Sequence, residues 1–168
     1  MYSVSTFFHT WEWIVGIPFA ALIVAASFLD IRTREIPDIL ILPGIAYFTL
    51  VRIWIHPDSY SSHLIAGLVA GGLFYLIAVL VPKKGDKYEV GGGDIKFLAL
   101  TGIVLGVKLT ILSLALLSLI GTFAAIVFLI VRRRDGIIPF GPFIAGAALI
   151  SYYFGYEFFR WSLTHIVV

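Results

Sequence analysis

The sequence predicts an all-α polytopic membrane protein, a bundle of about six transmembrane helices forming one integral-membrane unit over residues 1–168. Three observations predict it. Of the 168 residues, 60% are hydrophobic and 13% charged, about half the charge of an ordinary soluble domain. Mean hydropathy is +1.01. The apolar residues gather into six stretches, roughly 11–29, 39–55, 62–81, 95–107, 109–131 and 140–157, divided by charged and turn-forming clusters. Most approach the ~20 residues that cross a ~30 Å hydrocarbon core at ~1.5 Å per residue.

The first stretch has no Lys or Arg before Arg32. It lacks the basic region of a secretory signal and reads as a permanent span. It ends in Leu29-Asp30-Ile31-Arg32-Thr33-Arg34-Glu35-Ile36-Pro37, and the second stretch follows with Asp38 as its expected N-cap. The fourth begins directly after Gly91-Gly92-Gly93-Asp94, is short, and is interrupted by Gly102 and Gly106. Only Val107 and Lys108 separate it from the fifth, so the two are expected to be closely joined. The sixth starts in Ile138-Pro139-Phe140-Gly141-Pro142-Phe143, where two prolines about a glycine break or delay a helix. Irregular backbone at membrane depth is tolerated only where it is buried in protein or lines a cavity. The alternative is a plain helix start with proline in its first turn.

The basic residues give an orientation. Nine of the 12 lie in the loops after spans one, three and five, against Arg52, Lys108 and Arg160. By the positive-inside rule those loops are cytoplasmic and both termini lie outside. Trp11, Trp13, Trp54 and Trp161 then fall on the outer side, as an interfacial aromatic belt does. So do His9, His56, His63 and His165, for which the sequence gives no role. A net charge of +2 gives no reason to expect nucleic acid as a partner. The absence of cysteine excludes disulfides, thiolate nucleophiles and zinc–thiolate sites.

An ionisable group at a membrane boundary is a functional candidate by default. Asp30 and Asp94 are 64 residues apart, yet the topology drawn from Lys and Arg alone puts both at cytoplasmic ends of spans. Two carboxylates able to share a proton perform aspartyl proteolysis. The ionised member draws a proton from water and the protonated member polarises the scissile carbonyl, with no metal or organic cofactor. Gly91, Gly92 and Gly93 would let a substrate chain approach the backbone closely. The plainer readings are that Asp94 caps the fourth helix and that Asp30 pairs with Arg32 or Arg34 at headgroup level. Lys96 either eases ionisation of the site or snorkels to the interface. Glu35 and Glu89 balance charge in wet loops, and Arg132 to Arg134 set topology against anionic headgroups.

Asp30-Ile31-Arg32-Thr33-Arg34-Glu35-Ile36-Pro37, Gly91-Gly92-Gly93-Asp94-Ile95-Lys96 and Pro139-Phe140-Gly141-Pro142 occur in that order among the six spans. Together they resemble the type IV prepilin peptidase family, the Gly-x-Gly-Asp membrane aspartyl proteases. The resemblance covers nearly the whole chain and implies that Asp30 and Asp94 are the catalytic pair. It implies a prepilin or pseudopilin substrate whose short basic leader stays in the cytoplasm, with cleavage after a glycine at the leader boundary. Gly91, Gly92, Gly93, Lys96, Pro139, Phe140, Gly141 and Pro142 would then bind substrate. Larger members carry a cysteine-containing zinc insertion, and many N-methylate the product using S-adenosylmethionine. This chain looks like the compact form of archaeal preflagellin (archaellin-type) peptidases and tight-adherence pilus systems, expected to act as a peptidase alone. Asp38 stands where the family often has asparagine and reads as one cap replacing another.

Two other classes fit less well. Signal-peptide-peptidase and presenilin relatives place their first aspartate beside a tyrosine within a span, whereas Asp30 follows Phe28-Leu29 and precedes Arg32. A non-enzymatic ion-coupled bundle would be expected to show internal repeats and interrupted spans meeting at the midplane, and no repeat is evident here. A lipid-modifying enzyme lacks its phosphate cradle or multi-carboxylate metal motif.

Overall fold

The computed structural model describes residues 12–80, 91–130 and 140–166. These form α1 (Trp13–Thr33), α2 (Asp38–Ile55), one 3-10 turn (Pro57–Ser59), α3 (Tyr60–Leu80), α4 (Gly92–Ile130) and α5 (Gly141–Ile166). Among the described residues there is no strand.

Each helix carries large apolar side chains on its outer surface: Ile17 on α1, Leu50 on α2, Leu68 on α3, Leu119 on α4 and Phe154 on α5 are all more than half exposed. Hydrocarbon is the solvent in which such a surface is stable, because lipid tails are as apolar as leucine. Helices α1 and α2, the Pro57–Leu80 segment and Gly92–Ala124 are long and apolar enough to cross a membrane. The chain is a multi-pass membrane protein. Helix α5 is also long enough, at 26 residues, but its glycines, tyrosines and Glu157 dilute its hydropathy. It turns Ala145, Ala147, Ala148, Ser151 and Tyr152 into the interior.

The fourth and fifth expected spans are the two limbs of α4, two helices joined directly at Gly106. At 39 residues a straight α4 would extend about 58 Å, nearly twice the hydrocarbon core. Gly106 prevents this, with φ 71° and ψ 169°, a conformation essentially reserved for glycine. Contacts show that the chain reverses there. On the first limb, Gly102 lies against Ala66 and Gly67, and Ala99 against Gly71, so this limb runs antiparallel to α3. On the second limb, Leu109 meets Gly155 and Gly121 meets Phe140, so it runs back alongside α5. The described residues therefore form six rods. Gly102, expected to interrupt the helix, does not; a Cβ there would stand 2.5 Å from the Ala66 carbonyl oxygen, so it permits close packing instead.

The break leaves carbonyls without helical donors, and neighbouring side chains satisfy them. Arg52 Nη2 donates to the Val104 carbonyl at 2.7 Å, and His63 Nδ1 to that of Ile103 at 2.9 Å. Ser62 Oγ accepts from the Val107 amide at 3.2 Å. Arg52 also lies 3.4 Å from Glu12 Oε1. Glu12 is 3.0 Å from His56 Nε2 and accepts from the Tyr152 hydroxyl at 3.0 Å. Burial pushes the Glu12 carboxyl up, but Arg52, His56 and Tyr152 outweigh it and hold the carboxyl below its ordinary value. His56 and His63, given no role by the sequence, thus fasten the turn of α4. The exposed rings of Trp13, Trp54 and Trp161 share this end of the bundle.

Pro18 cannot donate to the Ile14 carbonyl one turn earlier. The Tyr47 hydroxyl takes its place at 2.8 Å and ties α2 to α1. The fully buried side chains Phe19, Ile23, Ile41, Phe48, Phe97, Leu100, Val104 and Ile144 place the core among α1, α2, the first limb of α4 and α5.

Candidate active site

The end of the bundle opposite Gly106 brings together the last turn of α1, the first turn of α4 and the first turn of α5. Asp30 is on the inward face of α1, in register with the core residues Phe19, Ile23 and Ala26, and is only 5% exposed. Helix α1 stops just beyond it. Arg34 takes the left-handed conformation (φ 58°) and its amide donates to the Asp30 carbonyl at 2.8 Å.

The carboxylate of Asp30 is held from across the bundle. Its Oδ2 accepts the Gly141 amide at 2.7 Å. Gly141 opens α5, and the amides of Phe143 and Ile144 are already taken by the Phe140 carbonyl at 3.1 and 3.2 Å. Pro142 has no amide, so Gly141 supplies the free donor of this helix N-terminus, where an anion is favoured. A Cβ on Gly141 would stand 2.7 Å from Asp30 Oδ2 and 3.0 Å from its Cβ. The expected irregular segment is therefore an ordinary helix start with proline in the first turn. Gly141 meets Asp30 rather than standing open. Pro139 lies outside the described residues.

Asp94 sits in the first turn of α4, half-buried. Gly91 precedes the helix: its carbonyl accepts the Asp94 amide at 3.0 Å, and a Cβ on it would stand 3.3 Å from Asp94 Oδ2. Asp94 is the third helical residue of α4, where an acidic side chain is favoured by the helix N-terminus. Its neighbour Gly93 packs on Ile36, six residues beyond Asp30, so both aspartates stand at the same end of the bundle.

The three glycines do different things. A Cβ on Gly93 would lie 3.0 Å from Ile36 Cβ and 3.2 Å from the Ile36 carbonyl oxygen, so α4 here rests on the backbone of the α1–α2 connection. A Cβ on Gly91 would meet Asp94 Oδ2 at 3.3 Å, while Gly92 is exposed with nothing within 4 Å.

One sequence expectation is corrected. Asp38 is not the N-cap of α2; Pro37 occupies that position, and Asp38 is the first helical residue. The Nζ of Lys96 donates to both Asp38 oxygens at 2.7 and 2.6 Å. Sequence reasoning also passed over Ile36, whose burial against Gly93 spaces α1 from α4. The signal available was an apolar residue wedged before Pro37 in an otherwise charged connection.

Two grooves lie at this end of the bundle, neither lined by Asp30 or Asp94 themselves. One, of about 470 Å³, runs between α3 and the second limb of α4 and has Phe140 in its wall. The Phe140 ring centre lies 6.3 Å from that of Phe74. The other, of about 550 Å³, is lined by Leu29, Thr33 and residues 35–38.

Residues 17–126 match the type IV leader peptidase family, a span that contains both aspartates. The chain belongs to this family. It is 31% identical over 163 residues to a prepilin leader peptidase/N-methyltransferase of Aeromonas hydrophila, covering 94% of this chain and 55% of that protein. Proteins of the same name from Bacillus subtilis (29% over 144 residues, 83% and 55% covered) and Neisseria gonorrhoeae (31% over 169 residues, 95% and 57%) are similar. The chain spans about half the length of these curated relatives. No solved structure matches it.

Proposed function

We propose that this chain is a membrane aspartyl endopeptidase that removes the short basic leader of type IV prepilin-like substrates, archaellin-type proteins included. Residues 1–168 act as one integral-membrane unit. The observation that carries the reading is that Asp30 and Asp94, from α1 and α4, come to one end of the bundle, where Gly141 meets Asp30 and Gly93 rests on Ile36. Asp30 and Asp94 are the catalytic pair. One, ionised, takes a proton from water as it attacks the scissile carbonyl; the other, protonated, donates to the carbonyl oxygen. The roles then reverse as the amine leaves. The pair titrates as a unit, so neither role belongs to one residue at rest.

The site faces the cytoplasm and the termini lie outside. Arg32, Arg34 and Lys96 share the Asp30 end, which supports this orientation. The open backbone at Gly92 faces the substrate chain. Phe140, at the wall of the apolar groove, contacts the hydrophobic segment that follows the scissile bond. Glu35, in the second groove, offers a carboxylate to the basic leader.

The test is cleavage of a co-expressed prepilin-like substrate, read as a gel shift, with product masses recording any methylation. Asp30→Asn and Asp94→Asn should each abolish cleavage at normal protein levels. Cleavage surviving in both would make the carboxylates structural and an ion-coupled bundle the better account.

A further inference from the structure

The Asp38–Lys96 pair is absorbed neither by the fold nor by the chemistry described above. Lys96 stands just past the first turn of α4, near the end where the exposed amides already carry partial positive charge, so the helix itself gives the ammonium no favour. Asp38, first residue of α2, is an anion at its favoured end. The two meet in a two-pronged contact of 2.7 and 2.6 Å. Their side chains are 40% and 54% exposed, so the pair contributes little to overall stability. Its placement matters more. Lys96 follows Asp94 by two residues, which puts the side chains on nearly opposite faces of α4. Asp38 follows Asp30 by eight residues, through the left-handed Arg34, the buried Ile36 and Pro37. The ion pair therefore closes a short ring running from Asp30 through Asp38 and Lys96 to Asp94, with the Gly93–Ile36 contact inside it.

We propose that Asp38 and Lys96 are positioning residues, a clamp that sets the first turn of α4, and with it Asp94, against Asp30. The proposal rests on the two-aspartate reading. Without the clamp, α4 keeps its helix and its packing but its first turn samples several placements, and the fraction of time in productive geometry falls.

The full chain is assayed in detergent against a prepilin-like substrate. Asp38→Asn and Lys96→Gln should each lower kcat at least about tenfold, in line with the steep cost of small misplacements, with KM and melting temperature nearly unchanged. The exchanged pair, Asp38→Lys with Lys96→Asp, should recover most of the loss. Since the chain has no cysteine, nitroxides at Ile31→Cys and Gly92→Cys report the α1–α4 spacing directly. Both positions are exposed. The distance distribution should broaden in Asp38→Asn, independently of any activity. If Lys96 instead touches substrate, Lys96→Gln raises KM, Asp38→Asn cleaves at the wild-type rate, and the clamp is overturned. Wild-type rates in both single variants with an unchanged distance distribution overturn it too, leaving the aspartate pair standing. Activity in Asp30→Asn strikes the two-aspartate reading itself.

Discussion

Gly93→Ala tests how closely the site is assembled. The added Cβ would stand 3.0 Å from Ile36 Cβ, 3.2 Å from its carbonyl oxygen and 3.4 Å from its nitrogen. Two of these three are backbone atoms, so no rotamer change relieves the contact. The first turn of α4 must withdraw from the α1–α2 connection by a few tenths of an ångström. Overpacking of this kind costs about 1–3 kcal/mol, offset by up to ~1 kcal/mol because alanine favours helix over glycine. The expected net loss is about 0–2 kcal/mol. The effect on rate should be larger in proportion, because Asp94 is the next residue. Where ~1 Å of misplacement costs about a hundredfold, this displacement should cost about tenfold. The assay pairs thermal unfolding in detergent with initial cleavage rates. Gly146→Ala serves as control: it lies inside α5 with nothing within 4 Å of a Cβ, and should gain stability without losing rate. Gly93→Ala cleaving at the wild-type rate with an unchanged or raised melting temperature would refute the argument that α4 bears on Ile36.

Gly106→Ala should cost about 1–3 kcal/mol from its backbone conformation alone, with a further clash because the Cβ would be 3.1 Å from the His63 ring; a lowered melting temperature checks it. Gly141→Ala should abolish cleavage while the protein still inserts, since its Cβ would fall 2.7 Å from Asp30 Oδ2; normal turnover would show that the α5 amide does not hold Asp30. Because Glu12 is held below its ordinary value, its stabilisation is present above about pH 4.5 and is lost as pH falls through the lower folded value. Melting scans from pH 7 downward should show wild type losing stability in acid. Glu12→Gln should start lower and lose less.

Much of the fold and of the candidate site was legible in the sequence. Apolar runs are long in a membrane protein because lipid demands it, so the rods could be counted from composition. The basic loops put Asp30 and Asp94 at one end without reference to either residue. What stayed hidden is what depends on contact between distant segments. Gly102 and Gly106 look alike in sequence, but one faces Ala66 at close range and the other carries the reversal. Asp38 sits where a cap belongs, and only the fold brings Lys96, 58 residues away, within reach. His63 was given no role, and Arg52 only a place in the charge count, because the carbonyls they satisfy are orphaned by a break that only the folded path reveals.

The three motifs share a property that no one of them displays: each is a helix terminus, and the site is where the three termini meet. Asp30 lies in the last turn of α1, the end whose carbonyls disfavour an anion. The opposing influence comes from α5, whose first amide is donated to that same carboxylate. Asp94 lies at the N-terminus of its own helix and needs no second helix to complement it. The two carboxylates thus differ in where their electrostatic complement comes from: for Asp30 it is the first amide of α5, for Asp94 the N-terminus of its own helix. Changes that loosen α5 should therefore act through Asp30, and changes to the Gly91–Gly93 run through Asp94. Because the two carboxylates act as one unit, adding Gly93→Ala to Gly141→Ala should cost no further activity, whereas Gly93→Ala alone leaves a measurable rate.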